Sequence, residues 1–501
     1  MLTAFERHDR DQHRDHKRDH KRPASQSPDD RLSTREVWGL IALLGGSFLV
    51  VLDFFIVMVA LPSIQTDLHA SSASIQMVVT GYGLANAIAL IAGGKLGDVF
   101  GRQRMFQLGL GLFLMASLAC ALATTAPLLI AARVVQGLAG ALLQPQVLGI
   151  VSTLYSGAKR ARVFAWYAVA IGSAGVVAQL LGGLLIHFQA AASGWRSCFL
   201  INLPIGIAAL LLVRHFVASD KGHDSKIDIV GLVLSAAALL LLALALTYGR
   251  EQGWPLWSLA CLPASLVTAY CLYRYEAHLE RRAGASAKPL FPTELLRVRT
   301  FRGGLLRVLI FYAGIASFYF ILALHLQQEL GFVALGAGAL FAVLALAFVA
   351  ASLCARRMRN LVGMEGPLFG TCVLITGHIA MALAVWQRLD SIPVLVLCLA
   401  IQGAGIGLAM VPLVSSTLAG VPPAHAGVAG GALSTFQQAG NSLGVTLIGL
   451  LFFGSTAQTG FLVSLQYLIG INTVLALLLL AMSLHSRRAA QFSAPTATTA
   501  A

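Results

Sequence analysis

The sequence predicts an all-α integral membrane protein, a two-lobed bundle of fourteen transmembrane helices in a six-plus-two-plus-six layout. Three observations carry this. Of 501 residues, 57% are hydrophobic and 11% charged, whereas a soluble domain carries about 25% charged residues; mean hydropathy is +0.78. Fourteen apolar runs are long enough to cross a ~30 Å hydrocarbon core, which needs about 20 residues each. Most of the 35 Lys and Arg lie in alternate gaps or in the two tails, and the other gaps hold only Arg196, Arg250 and Arg388. That is the positive-inside pattern, so the net charge of +14 reflects topology and excludes a nucleic-acid partner. A β-barrel needs short alternating segments, which are absent.

Residues 1–36 form a polar cytoplasmic tail with no cleavable signal peptide. Within it, Arg7–Arg22 interleaves His8, His13, His16 and His20 with alternating charges. It reads as a solvated segment attracting anionic lipid headgroups rather than a metal site. The first lobe, 37–217, holds runs at 37–61, 74–96, 105–124, 127–150, 163–187 and 198–217. Residues 218–303 hold a cytoplasmic loop (Ala218–Ile227), an inserted pair at 228–248 and 256–275, and a basic loop (Arg274–Arg302) with Pro289 and Pro292. The second lobe, 304–486, holds 304–326, 335–355, 366–386, 391–415, 428–453 and 461–484. A tail at 487–501 begins with Arg487 and Arg488. An even count puts both termini on one side, and the basic residues make that side cytoplasmic. QGLAGALLQPQVLGIVSTL from Gln136 echoes QGAGIGLAMVPLVSSTL from Gln402, each on the fourth helix of its block; such repeats recur in secondary transporters, whose sites lie between the halves.

The first run contains Asp53, the one carboxylate well inside the apolar runs. Holding an ionised side chain at mid-bilayer costs about 2.5–3.5 kcal/mol even on the lenient scale, so such a residue binds or carries something. A carboxylate most simply carries a proton. At 1.5 Å per residue, Asp53 lies about 13 Å and Arg133 about 9 Å from the outer ends of their helices, so the two can meet. A guanidinium favours the charged carboxylate and burial disfavours it; a site balanced between them loads and releases a proton as solvent access changes. The bland reading is a static ion pair.

Arg133, Gln136, Gly137, Gly140 and Gln144 follow helical spacing on the fourth helix, as Tyr82, Asn86, Gly93 and Gly97 do on the second. These faces line either an aqueous cavity or a tight helix contact. The ninth run adds Phe311, Tyr312, Phe318, Tyr319 and Phe320, and the thirteenth Gln437, Gln438 and Asn441. His325 and His378 are isolated and read as packed or interfacial. All seven cysteines lie in or beside apolar runs, so neither a disulfide framework nor a metal site is expected. No GxxxxGK[ST] pattern appears, which excludes the usual ATP-binding loop. The gap GKLGDVFGRQR holds Gly94, Gly97, Asp98, Gly101, Arg102 and Arg104; its glycines allow a tight turn between helices, and Asp98 can pair with Arg102 or Arg104, or sit at a helix N-terminus.

GKLGDVFGRQR resembles the loop between helices 2 and 3 of the major facilitator superfamily. Fourteen helices with LDFFIVMVALP (Leu52–Pro62), RVVQGLAGA (Arg133–Ala141) and WRSCFLINLPIGI (Trp195–Ile207) resemble its fourteen-helix drug/proton antiporter family, over about Val37–Arg488. The resemblance implies proton coupling by Asp53 and Arg133, and gating against the second half by Asp98. Departures are Phe55 and Met58, where members often have Thr and Asn, Met77 in place of a common Trp, and Ala178-Gln179 where Gly-Pro is usual.

The expected function is therefore proton-coupled export of amphipathic organic compounds across a bacterial plasma membrane, with no cofactor and no enzymatic step. Tyr82, Asn86, Gln136, Gln144, Gln179, Tyr312, Phe318, Gln437 and Asn441 are the candidate cavity residues. Because no second acid lies well inside the runs, the substrates expected are neutral, zwitterionic, anionic or monocationic. A periplasmic adaptor is left open, and a metabolite facilitator, a membrane sensor and an intramembrane enzyme are the rivals.

Overall fold

A computed structural model describes residues 32–155, 157–188, 194–217, 228–282, 298–362, 365–389, 391–418, 421, 426–454 and 457–493. The His-rich tail, the loop at 218–227, Pro289 and Pro292 lie outside the described residues. All regular structure among the described residues is helical. The elements are α1 (Thr34–Asp67), α2 (Ser72–Phe100), α3 (Arg102–Ala121), α4 (Ala126–Leu154), α5 (Gly157–His187) and α6 (Asn202–Phe216), the last preceded by turns at Gly194–Arg196 and Ser197–Leu200. There follow α7 (Ile229–Glu251), α8 (Leu256–Arg282), α9 (Arg299–Leu324), α10 (Ala334–Val362), α11 (Gly366–Trp386), α12 (Ile392–Leu418), α13 (Ala426–Phe452) and α14 (Ala457–Ser493). A π turn, His325–Glu329, extends α9.

Each expected run falls on a helix. By length and apolarity, eleven described helices can cross a membrane, and α5 and α7 supply shorter apolar stretches, Ser173–His187 and Ile229–Leu242. Gln437, Gln438 and Asn441 make the middle of α13 less apolar. Helix ends follow local chemistry. Ser33 and Glu36 form a reciprocal capping box at α1, with bonds of 3.2 and 2.7 Å, satisfying two otherwise orphaned amide donors. Gly101, at φ +93°, turns the chain between α2 and α3, a conformation that a β-carbon disfavours.

Small residues let the helix backbones approach, as membrane bundles require. A β-carbon on Gly93 would sit 2.2 Å from the Ala141 carbonyl, drawing α2 onto α4; on Gly403 it would sit 2.0 Å from the Leu344 carbonyl, drawing α12 onto α10. Across the halves, α2 packs on α13, α5 on α10 and α1 on α9. Those contacts cluster toward the face where α1 ends: Thr80 and Thr446 hydroxyls lie 3.3 Å apart, and a β-carbon on Gly183 would meet the Ala334 carbonyl at 2.6 Å. Gly430 and Gly431, at the opposite end of α13, have nothing within 4 Å of an added β-carbon. Among the described residues, the halves are thus tight at the first face, while these two glycines of α13 meet nothing at the other. α7 docks on α2 and α13 and carries α8 outside it; only 11% of the apolar window of α8 is buried, which leaves most of that helix to lipid.

Candidate functional site

Asp53 and Arg133 do meet. Both side chains are fully buried, and Arg133 Nη1 donates to Asp53 Oδ2. Because α1, α3, α4 and α6 converge here, the carboxylate gathers two further donors: Gln136 Nε2 at 2.9 Å and Asn202 Nδ2 at 2.7 Å, both to Oδ1. The same two amides donate to Ser117 Oγ at 2.7 and 2.8 Å, tying α3 into the cluster. Arg133 is oriented by more than the ion pair. Its Nε donates to the Val78 carbonyl at 3.0 Å and its Nη1 to Gln136 Oε1 at 2.8 Å. The guanidinium lies 4.0 Å over the Tyr82 ring and 5.8 Å from that of Phe199, a cation–π environment that suits a desolvated cation.

The cluster is not fully satisfied. Arg133 Nη2 and Asn202 Oδ1 are buried without a hydrogen-bond partner among the described residues, each costing about 1–3 kcal/mol. The cluster sets one carboxylate against one fixed cation, and both side chains are closed off from solvent.

Around it, Tyr82 donates to the Val50 carbonyl at 3.0 Å and Asn86 to the Gly137 carbonyl at 3.2 Å. Asn86 in turn accepts from Gln438 of α13 at 3.3 Å, and Asn441 donates to Gln438 at 3.0 Å. A ladder of neutral amides thus crosses between the halves. Gln437 donates to Tyr312 at 2.9 Å. Gln179 donates to the Phe55 carbonyl at 3.0 Å, in place of the Gly-Pro usual in the resembled family.

Other expectations are placed differently. Phe318 does not face the other half; it is buried against His378 of α11 at 5.2 Å, because that face of α9 packs within its own half. Gln144 is half-buried, and Gln146 makes the buried bond there, to the Gly93 carbonyl at 2.7 Å. Asp98 pairs with Arg102 at 2.9 Å, while Arg104 is exposed. Gly97 presses on Gln146, whose Oε1 would lie 1.8 Å from an added β-carbon, and Gly94 faces Pro145 at 3.5 Å. All seven cysteines are free.

Sequence reasoning missed Ser117 and Asn202. Ser117 is too common a type to signal anything, but Asn202 is a lone amide in an apolar run, the same kind of anomaly as Asp53. Asp228 is buried at the very start of its apolar run, and helices that extend beyond their runs leave Glu276 buried and Glu329 half-buried; Asp53 has more company than hydropathy suggests.

Solved structures with this fold include a POT family transporter in complex with a thioalcohol-conjugated peptide (TM-score 0.65, 15% identity, 90% of this chain and 96% of that one). The xylose transporter XylE from E. coli, in a partially occluded inward open conformation, has a TM-score of 0.60 at 13% identity, over 89% of this chain and 98% of that one. Among curated proteins, the probable actinorhodin transporter of Streptomyces coelicolor is 35% identical over 82% of this chain and 72% of its own. The puromycin resistance protein of Streptomyces alboniger is 32% identical over 87% and 84%. The tetracenomycin C resistance and export protein of Streptomyces glaucescens is 30% identical over 85% and 78%. The Major Facilitator Superfamily profile matches residues 43–445, and the chain belongs to that superfamily.

Proposed function

We propose that this chain is a secondary transporter that exports amphipathic organic compounds, antibiotics among them, in exchange for protons. The observation that carries the reading is the fully buried Asp53–Arg133 pair with its two amide donors. Intramembrane carboxylates of this kind mark proton and ion pathways. The names of the relatives, among them a transporter, a resistance protein and an export protein for antibiotics, support export of such compounds.

In the proposed cycle, the tight face is the outer one and both termini are cytoplasmic, in a bacterial plasma membrane. Substrate enters between the halves from the open face and meets Tyr312, Gln437, Asn441, Asn86 and Gln179. Outward opening hydrates Asp53, which accepts a proton at one carboxylate oxygen and loosens its bond to Arg133. Return to the inward state releases that proton to the cytoplasm. The Asp98–Arg102 pair at the α2–α3 turn steadies the closed inner gate. With amides and aromatic rings as polar partners, the site takes neutral, zwitterionic, anionic or monocationic compounds, since a second buried cation lacks a counter-charge.

The test is proton movement in inside-out vesicles with an imposed inward acid gradient. Neutral, anionic, monocationic and dicationic amphiphiles are added to wild type and Asp53→Asn. Collapse of the gradient by a compound in wild type alone supports the reading. No response to any compound in wild type overturns proton antiport, and a dication moved by Asp53→Asn overturns the charge-class argument.

A further inference from the structure

Where α1 meets α9, aromatic rings from both halves come together. Phe54 meets Phe55 edge-on at 5.1 Å and 88°, and Phe55 meets Tyr319 of α9 at 5.4 Å and 54°. Tyr319 in turn lies 5.3 Å from Phe341 of α10. Phe54, Tyr319 and Phe341 are buried, but Phe55 is half-buried. Residues 56–61, which carry α1 on toward the tight face, are all fully buried. Phe55 is therefore the last accessible side chain of α1 before that face. Neither of its ring neighbours lies parallel to it, so among the described residues no aromatic ring is stacked flat on Phe55.

On the α5 side, Gly175 and Gln179 are one turn apart and share a face of the helix. A β-carbon on Gly175 would sit 3.5 Å from Phe55 Cδ2, so the glycine leaves beside the ring a space that a larger side chain would fill. Gln179 Nε2 donates to the Phe55 carbonyl at 3.0 Å, which fixes the carboxamide against the same residue. Its Oε1 is buried with no hydrogen-bond partner among the described residues. An unpaired buried acceptor is costly, and a donor that reaches it removes the cost. The residues that meet Phe55 here carry no charge.

We propose that Phe55, Tyr319 and Gln179 form a specificity site for an uncharged, flat aromatic ring that carries a hydroxyl or N–H at its edge. The ring stacks offset on Phe55, an arrangement that aromatic pairs favour beyond the area they bury. Tyr319 supplies a second ring from the other half, so the ligand touches both halves at once. With the ring in the space that Gly175 leaves, its edge donor pairs with Gln179 Oε1 one turn along α5. A saturated, puckered ring system of the same size hides similar apolar area but offers no π face. Calling this ligand the exported substrate rests on the transport reading above; the binding site itself does not.

Calorimetric titration of the purified full-length protein tests the site without a proton gradient. The probes are a dihydroxyanthraquinone, its perhydrogenated and puckered counterpart, and anthraquinone without hydroxyls. Wild type should bind the flat dihydroxy probe tightest. Phe55→Thr and Tyr319→Leu should each weaken that probe about two- to tenfold and the puckered one by less than about twofold. Gln179→Leu should weaken the dihydroxy probe about fivefold, the worth of one hydrogen bond, and leave anthraquinone unchanged. Phe55→Tyr, which keeps a ring, should keep the flat-probe affinity. Equal binding of flat and puckered probes by wild type, or no binding of either, overturns the proposal. So do Phe55→Thr and Tyr319→Leu proteins that weaken both probes alike or neither, and a Phe55→Tyr protein that loses as much as Phe55→Thr. Flat-ring selectivity lost in these variants stands even if the vesicles show no antiport, and antiport stands if the selectivity fails, so the two readings fail separately.

Discussion

On α4, Arg133 and Gln136 turn toward a carboxylate; on α12, the echoing Gln402 turns toward a carbonyl, that of Gly377 at 3.3 Å. The centre of the first half is a charged cluster spanning four helices. Its counterpart beside Gln402 is His378, bonded to the Leu374 carbonyl at 2.8 Å and packed edge-on against Phe318. Backbone packing does not share this asymmetry: Gly93 and Gly403 bring their helices equally close. Close packing therefore needs glycine and not charge. A buried ion pair is seldom more stable than a well-packed apolar replacement, so the charge in the first half is better explained by what it does than by what it holds.

The largest expected effect separates the halves by function. Asp53→Asn should reduce proton-coupled flux in vesicles to background. Gln402→Leu removes one neutral hydrogen bond, worth about 1 kcal/mol, and should leave flux within a few-fold of wild type. Equal losses would erase the comparison.

Next comes stability. Arg133→Ala leaves a buried carboxylate without its cation and should cost about 3–5 kcal/mol, read from unfolding of the purified protein in detergent. Adding Asp53→Asn should recover part of that loss, because the two residues act as one unit. If the losses instead simply add, the pair is not coupled.

A smaller effect should be shared. Gly93→Ala and Gly403→Ala each force a β-carbon onto a backbone carbonyl, and overpacking of this kind costs about 1–3 kcal/mol. Similar destabilisation in both would support common packing. A large effect at Gly93 alone would mean that the charged half is also the less tolerant one.

The smallest change in stability is expected at the α2–α3 turn. The Asp98–Arg102 side chains are 49% and 25% exposed, so Asp98→Asn should alter stability by no more than about 1 kcal/mol. Transport should fall further than stability does. Parallel small changes would reduce Asp98 to a surface ion pair.

Much of this was legible from the chain. Apolar runs place the long described helices, since a bilayer demands internally bonded segments long enough to cross it. A lone Asp53 and a lone Arg133 at matching depths pointed to their meeting, because each is costly alone in lipid. Legibility failed where neutral residues do the work. Ser117 and Asn202 complete the cluster through side chains whose types are common and whose partners lie on other helices. Phe318 was assigned by its aromatic character, but rotation of α9 decides which ring faces the other half. The π turn was invisible too, since one extra residue per turn leaves no mark in hydropathy.

Composition and spacing by themselves determined that this chain spans a membrane as a helical bundle, where its helices run, and that Asp53 and Arg133 are its costliest residues. Water's preference for charge over hydrocarbon acts residue by residue, so a linear string records it. Which amides surround the carboxylate, which face is closed and where Phe55 meets Tyr319 depend on helix rotation and approach. Those are settled only when side chains from distant segments compete for the same space.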